Sequence, residues 1–323
     1  MYHDLTLRDG SHAISHQLTE KMIIEYCDFA EDAGIEVIEV GHGNGLGASS
    51  LLIGESLLSD SDIIKIARSR LKNTKLSVHI IPGFATIKRD IDIAISLGVD
   101  IFRIASHCTE ASLTKSHIEY LSSKGKTVYG ALMMAATCSP DILFDEALKM
   151  KNYGAKAIII MDSTGSFLPK DVSIIIKLLK KLEIPIGFHG HNNLSLSVAN
   201  SLSALESGAS IIDVTLKGFG AGAGNTPLEI MAFVHESSKI DKIKILKYCD
   251  KFNIPTPICK PINILTSAYK IMSGFEKHII KASKDYDVCY FKLSKELEKQ
   301  KLNAGQEDFI YITANSLKSN EIS

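Results

Sequence analysis

Eight short β-branched runs punctuate this 323-residue chain at fairly even spacing, and longer stretches of helical period separate them. That alternation constrains the fold more than any other feature. Strands that alternate with 10–15-residue helical patterns read as βαβ units in a parallel sheet. The runs fall at residues 4–8, 37–41, 75–81, 101–105, 127–133, 157–161, 184–189 and 211–216. Between them lie amphipathic stretches at 19–33, 88–97, 140–153, 170–182 and 194–207. Gly34, Gly98, Gly154 and Gly208 each follow a helical run where a left-handed cap belongs. Eight even units with no visible reversal of strand order favour a closed (β/α)8 barrel over an open doubly wound sheet.

The pattern changes after residue 240. The remainder is Lys-rich and helical in period, with one β-branched run expected as a strand at 309–313. We therefore expect a barrel domain over 1–240 and a helical extension over 241–323, with Pro255, Pro257 and Pro261 marking the junction. The polar segment 316–323 is expected to be mobile.

Composition narrows the function. With 36 basic and 37 acidic residues the charge is balanced, which argues against a nucleic-acid or anionic-membrane partner. No apolar run approaches the ~20 residues of a membrane span, and no secretory leader is visible. The six cysteines are scattered without a CxxC pair and read as reduced thiols of a cytoplasmic protein.

Two segments carry the chemistry. Phe188-His189-Gly190-His191-Asn192-Asn193 closes the seventh strand, and residues i and i+2 of an extended segment point the same way. His189 and His191 can therefore reach one ion. Leu7-Arg8-Asp9-Gly10-Ser11-His12 closes the first strand and brings Asp9 to the same barrel mouth. Two imidazoles and a carboxylate leave coordination positions open for substrate and water. The competing reading is strand-end polarity or packing. Arg8 offers planar donors to a carboxylate or a developing enolate oxygen, or else pairs with an interior acid such as Glu39. His12, with an ordinary pKa near ~6.5, suits proton abstraction.

The remaining motifs are weaker. The glycine runs 41–47 and 218–224 match neither the dinucleotide nor the P-loop pattern. They read as loops approaching closely over a small substrate. Ser163, after the sixth strand, can donate to a substrate carboxylate, but no Gly-x-Ser-x-Gly elbow makes it a nucleophile. His107 and Cys108 read as packing residues.

The segments LTLRDGSHAISHQ, IEVGHGNGLGASS, RIASHCTEA, IIMDSTGSFLPKDV, FHGHNNLSLSVAN, GFGAGAGNTPLE and GQED run in order over residues 4 to 310. On them the chain resembles the 4-hydroxy-2-oxovalerate aldolases, pyruvate class II aldolases of the metal-dependent TIM-barrel lyases. The resemblance implies a divalent ion, usually Mn2+ with Mg2+ or Co2+ as substitutes, on Asp9, His189 and His191. It implies retro-aldol cleavage of a 4-hydroxy-2-oxo acid, with His12 as base, Arg8 on the enolate and Ser163 on the carboxylate, in aromatic catabolism. It also implies a C-terminal extension that associates with an acylating aldehyde dehydrogenase, or a homodimer. An acyl-CoA-dependent Claisen-type synthase or hydroxyacyl-CoA lyase shares the metal motif. A scaffold barrel that has lost turnover is the alternative from another class. The chain departs from the family where a pocket tyrosine is expected: counting back from GQED places Met272 there, with Tyr269 one helical turn earlier. After Met133-Met134 it reads Ala135-Ala136-Thr137-Cys138 in place of a histidine-containing loop.

Overall fold

The computed structural model describes residues 1–235 and 240–322. Eight parallel strands close in sequential order: β1 (Tyr2–Leu7), β2 (Val37–Val40), β3 (Lys75–Ile80), β4 (Ile101–His107), β5 (Thr127–Met133), β6 (Ala157–Asp162), β7 (Ile186–Gly190) and β8 (Ile211–Val214). β8 returns to β1 with Ile212 opposite Tyr2 and Asp213 opposite His3. Each strand lies within two residues of its expected place.

Local chemistry sets the helix ends. Thr19 Oγ1 accepts the Met22 amide at 3.2 Å to start the helix Glu20–Ala33, and Ser139 starts Pro140–Tyr153 the same way. Gly34, Gly98, Gly154 and Gly208 all adopt positive φ, as expected. The stretch 194–207 becomes regular only at Ser197, because Asn192 Oδ1 accepts both the amide and the hydroxyl of Ser197 and holds the preceding turn apart.

The barrel interior departs from the usual layers of branched aliphatics. Register places His3 opposite Asp213, Glu39 opposite Ser77 and His79 opposite Arg103. These alternate positions form a buried polar layer, while Ile38, Val78 and Phe102 join the apolar core.

Residues 253–260 lack regular structure and lead to the helix Pro261–Ala268. Helices Glu276–Tyr286, Tyr290–Glu298 and Asp308–Ile322 follow. They bury a second cluster around Ile271, Phe275, Ile279, Leu293 and Ile310. The expected strand at 309–313 is therefore helix. Ile310 and Ala314 are both buried one turn apart, so tertiary burial at helical spacing overrides the β-branched preference of the run. The segment 316–323, expected as a mobile tail, continues this helix to Ile322, and Ser323 lies outside the described residues. The earlier helix Lys242–Lys251 contributes Ile245 to the barrel's own cluster. Met272 packs against both clusters. No helix among the described residues is long and apolar enough to cross a membrane.

Candidate functional site

Asp9 lies just past β1, at the start of a 3-10 turn spanning Asp9–Ile14. His189 is in β7, and His191 follows it immediately. One donor atom from each of the three lies within 4.8 Å of the others. Among the described residues no other group of three His, Cys, Asp or Glu side chains comes close enough to share an ion. The two Nε2 atoms face each other at 3.2 Å.

Each ligand candidate is held from behind. The Asp213 carboxylate accepts from His189 Nδ1 at 3.1 Å, which fixes the tautomer and leaves the Nε2 lone pair facing the site. Asn225 Nδ2 and the Ala221 amide donate to Asp9 Oδ1 at 2.7 and 3.2 Å, and Arg8 Nη1 donates to Asp9 Oδ2 at 2.7 Å. A continuous buried relay joins the two supports. Asp213 pairs with Arg103, Arg103 Nε lies 3.2 Å from Glu39, and Glu39 accepts from Arg8 Nε at 2.8 Å. The alternative expected for Arg8, a buried pair with Glu39, is thus present, and its guanidinium also adjoins Asp9. Its Nη2 is buried without a hydrogen-bond partner.

Charge explains why a cation suits this place. Two guanidinium groups face three carboxylates, those of Asp9, Glu39 and Asp213, so the layer carries a net negative charge. Burial lowers His3 to about 4 and His191 to about 3, so neither adds a positive charge at neutral pH. Burial works to raise the Asp9 carboxyl, but the Arg8 guanidinium and the nearby imidazoles hold it well below the usual carboxylate range. A divalent cation inverts the sign of the layer and matches the site to an anionic substrate. His191 Nδ1 is a further buried polar atom without a partner. The donor set fits a hard-to-borderline divalent metal.

A cavity of about 810 Å³ separates the barrel mouth from the C-terminal helices, lined among others by His12, Asn44, Gly220, Met272, Lys277 and Tyr311. Burial lowers His12 from 6.5 to about 4, so it is neutral and able to accept a proton at pH 7. His12 packs edge-on against His16, which stacks on His42 at 3.6 Å between centroids. The glycine runs provide close approach. A Cβ on Gly43 would sit 2.3 Å from His12 Nε2, and one on Gly220 would sit 2.8 Å from Asp9 Oδ1.

Ser163 is buried just past β6; its Oγ accepts the Met134 amide at 3.0 Å, which leaves its hydroxyl hydrogen free to donate. Its carbonyl accepts the Ser273 amide at 2.8 Å and so ties the barrel to the segment carrying Met272. Tyr269 packs in the C-terminal cluster, and neither it nor Ser163 is among the residues lining the cavity. His107 and Cys108 do not line it either.

Residues 1–250 match the HMGL-like family model, and residues 263–319 match the DmpG-like communication domain. The chain is 50% identical to the 4-hydroxy-2-oxovalerate aldolase of Pectobacterium atrosepticum, over 98% of this chain and 96% of that protein. The chain belongs to the 4-hydroxy-2-oxovalerate aldolase family. The aldolase of the same name from Spirochaeta aurantia is 44% identical over 98% of this chain and 95% of that one. Among solved structures, the carboxyl transferase domain of Rhizobium etli pyruvate carboxylase with pyruvate and biocytin superposes with a TM-score of 0.83 at 13% identity, over 99% of this chain and 60% of that one. That likeness concerns the barrel fold alone.

Sequence reasoning missed Asp213, Arg103 and Asn225 as supports of the site. A signal was present: Asp213 and Arg103 are lone charges in the otherwise apolar strands Ile-Ile-Asp-Val and Ile-Phe-Arg-Ile. A charge there has to be paired if it faces the barrel interior.

Proposed function

We propose that this protein is a divalent-metal-dependent aldolase that cleaves a 4-hydroxy-2-oxo acid, such as 4-hydroxy-2-oxopentanoate, to pyruvate and an aldehyde, and that the same site runs the reverse addition. The observation that carries this reading is the unpartnered Arg8 Nη2, buried beside Asp9 and aimed where no protein acceptor meets it. A substrate keto oxygen that becomes an enolate oxygen gives that donor its partner.

In this reading Asp9, His189 and His191 hold the ion, with Mn2+ the proposed metal and Mg2+ or Co2+ able to substitute. When bound, it would supply Lewis-acid polarisation of the 2-oxo acid. His12, neutral at pH 7, takes the proton of the 4-hydroxyl. The electron pair left on that oxygen forms the aldehyde carbonyl as the C3–C4 bond breaks. The bonding electrons pass to C3 and on to the 2-keto oxygen, giving an enolate that Arg8 stabilises through Nη2. Protonation at C3 yields pyruvate. Ser163 donates to the carboxylate, and Met272 covers the aldehyde side of the cavity. Residues 1–240 form the catalytic unit, and the extension over 241–323 serves association. The aldehyde made here is the substrate class of an acylating aldehyde dehydrogenase, so the communication domain is proposed to dock such an enzyme, or a second copy of this chain, in the cytoplasm.

The test is release of pyruvate from racemic 4-hydroxy-2-oxopentanoate by chelator-stripped protein reloaded with Mn2+, in the absence of CoA. Turnover that requires acyl-CoA instead would move the reading to a Claisen-type synthase or hydroxyacyl-CoA lyase. No turnover with either, despite bound metal, would leave a scaffold barrel.

A further inference from the structure

Lys277 lies in the first turn of the helix Glu276–Tyr286, inside the communication-domain segment, yet its ammonium reaches across the cavity to the turn that carries His12. Nζ donates to the His12 carbonyl at 2.6 Å, to the Ala13 carbonyl at 3.3 Å and to Ser15 Oγ at 3.2 Å. An ammonium has three donors, and here all three turn to one short loop. The partners are two carbonyls and a hydroxyl, so this is not an ordinary ion pair.

The loop needs such an anchor. It is a 3-10 turn, whose hydrogen bonds are poorly aligned. It ends in two consecutive non-glycine residues at positive φ, Ser15 at 53° and His16 at 63°. Each is a strained conformation for a residue with a Cβ, which the surroundings have to sustain. Gly43 leaves room for the imidazole on one side, and Lys277 fixes the main chain on the other. Lys277 as a whole is exposed, and partial burial of its ammonium pulls it below its ordinary value.

We propose that Lys277 is a positioning residue for the aldol reaction: it pins the His12 turn to the C-terminal helices, so that the imidazole stands at the substrate's 4-hydroxyl only while those helices are docked. This rests on the assignment of His12 as the base. It adds that the C-terminal unit, besides any partner it binds, completes the geometry of proton transfer, whereas the side-chain supports of Asp9, His189 and Arg8 come from barrel residues.

The experiment compares Lys277→Ala, Lys277→Gln and Lys277→Arg in the full chain loaded with Mn2+, each in the wild-type and the His12→Ala background. Two rates are read: aldol cleavage, and exchange of the pyruvate methyl protons with D2O. The expected result is a loss in cleavage kcat of about tenfold to a hundredfold for the alanine and glutamine variants, the scale of a misplaced reacting group. Methyl exchange and metal content should stay near wild type, which also reports that the variants fold. Arginine should restore most of the cleavage, because its guanidinium can donate to both carbonyls. In the His12→Ala background, Lys277→Ala should add no further loss. Equal losses in exchange and cleavage, an undiminished loss without His12, or no loss at all would each overturn the proposal. If His12→Ala itself cleaves normally, the base assignment fails first, and the pin fails with it. If His12→Ala is impaired and Lys277→Ala is not, only the pin fails.

Discussion

Asp213→Asn separates the structural and the chemical work of the buried relay. Asp213 accepts two contacts from Arg103 and one from His189, and all three side chains are shut away from solvent. Asparagine keeps the shape and removes the charge. Taking one partner from a buried ion pair costs about 3–5 kcal/mol. The low end applies here, because Glu39 remains 3.2 Å from Arg103 Nε. An unfolding entropy of roughly 2.1 cal/mol/K per residue gives about 0.7 kcal/mol/K for a chain of this length, so Tm of the metal-free protein should fall by about 4 °C. Metal affinity should fall about 10–100-fold, the usual effect of losing the acceptor behind a ligating histidine. Differential scanning calorimetry of metal-free protein and Mn2+ titration by isothermal calorimetry read the two effects. Adding Arg103→Met to Asp213→Asn removes the unpaired cation, so stability should recover while metal affinity should not. An unchanged Mn2+ affinity in Asp213→Asn would refute the link from Asp213 through His189 to the ion. Recovery of both properties in the double variant would refute the separation.

Three further outcomes are expected. Asp9→Asn and His191→Ala should each lose bound metal and cleavage together; full metal content by elemental analysis in both purified variants would remove them from the ligand set. Met272→Tyr places a hydroxyl in the cavity that His12 also lines, and one hydrogen bond of ~0.5–1.5 kcal/mol should shift the ratio of cleavage rates for the two C4 enantiomers several-fold; an unchanged ratio would mean the side chain at 272 does not meet the 4-oxygen. Burial keeps His3, His16 and His42 neutral in the fold, with values of about 4, 2 and 4 against 6.5 in the unfolded chain. Between pH 6.5 and 4 the unfolded state therefore binds more protons, and stability falls as pH drops through that window; a urea midpoint that holds or rises from pH 7.5 to pH 5 would contradict this.

Part of the molecule is readable from local pattern because local pattern causes it. Most strands are short runs that carry β-branched residues, since a parallel strand is buried on both faces, and they fall where those runs are. The pair His189 and His191 converges because alternate residues of an extended chain share a face. The segment 309–313 shows the limit of that logic: its β-branched residues suggest a strand, but burial of Ile310 and Ala314 against the other C-terminal helices decides for helix. The supports of the site are harder to read for a different reason. Arg103 and Asp213 meet across the barrel from positions 110 residues apart, and Asn225 reaches Asp9 over 216. Only closure of β8 onto β1 creates those contacts, and no local rule contains it.

The site therefore divides along the fold. Asp9, His189 and Arg8 are joined through Asp213, Arg103 and Glu39 into one network within the barrel, and His191 adjoins it through His189. The strand positions among them are set by register, which a neighbouring domain cannot easily alter. His12 stands further along the turn that Asp9 begins, with strained residues after it and an anchor contributed by a C-terminal helix. On the proposed function, the binding of the oxo acid and the stabilisation of its enolate fall to the rigid part of the molecule, while the group proposed to move the 4-hydroxyl proton is carried by the part able to respond to what the C-terminal helices touch. A partner docked on those helices has a direct physical route to the proposed base through Lys277, and it should change the rate of carbon–carbon cleavage without changing the affinity for the metal.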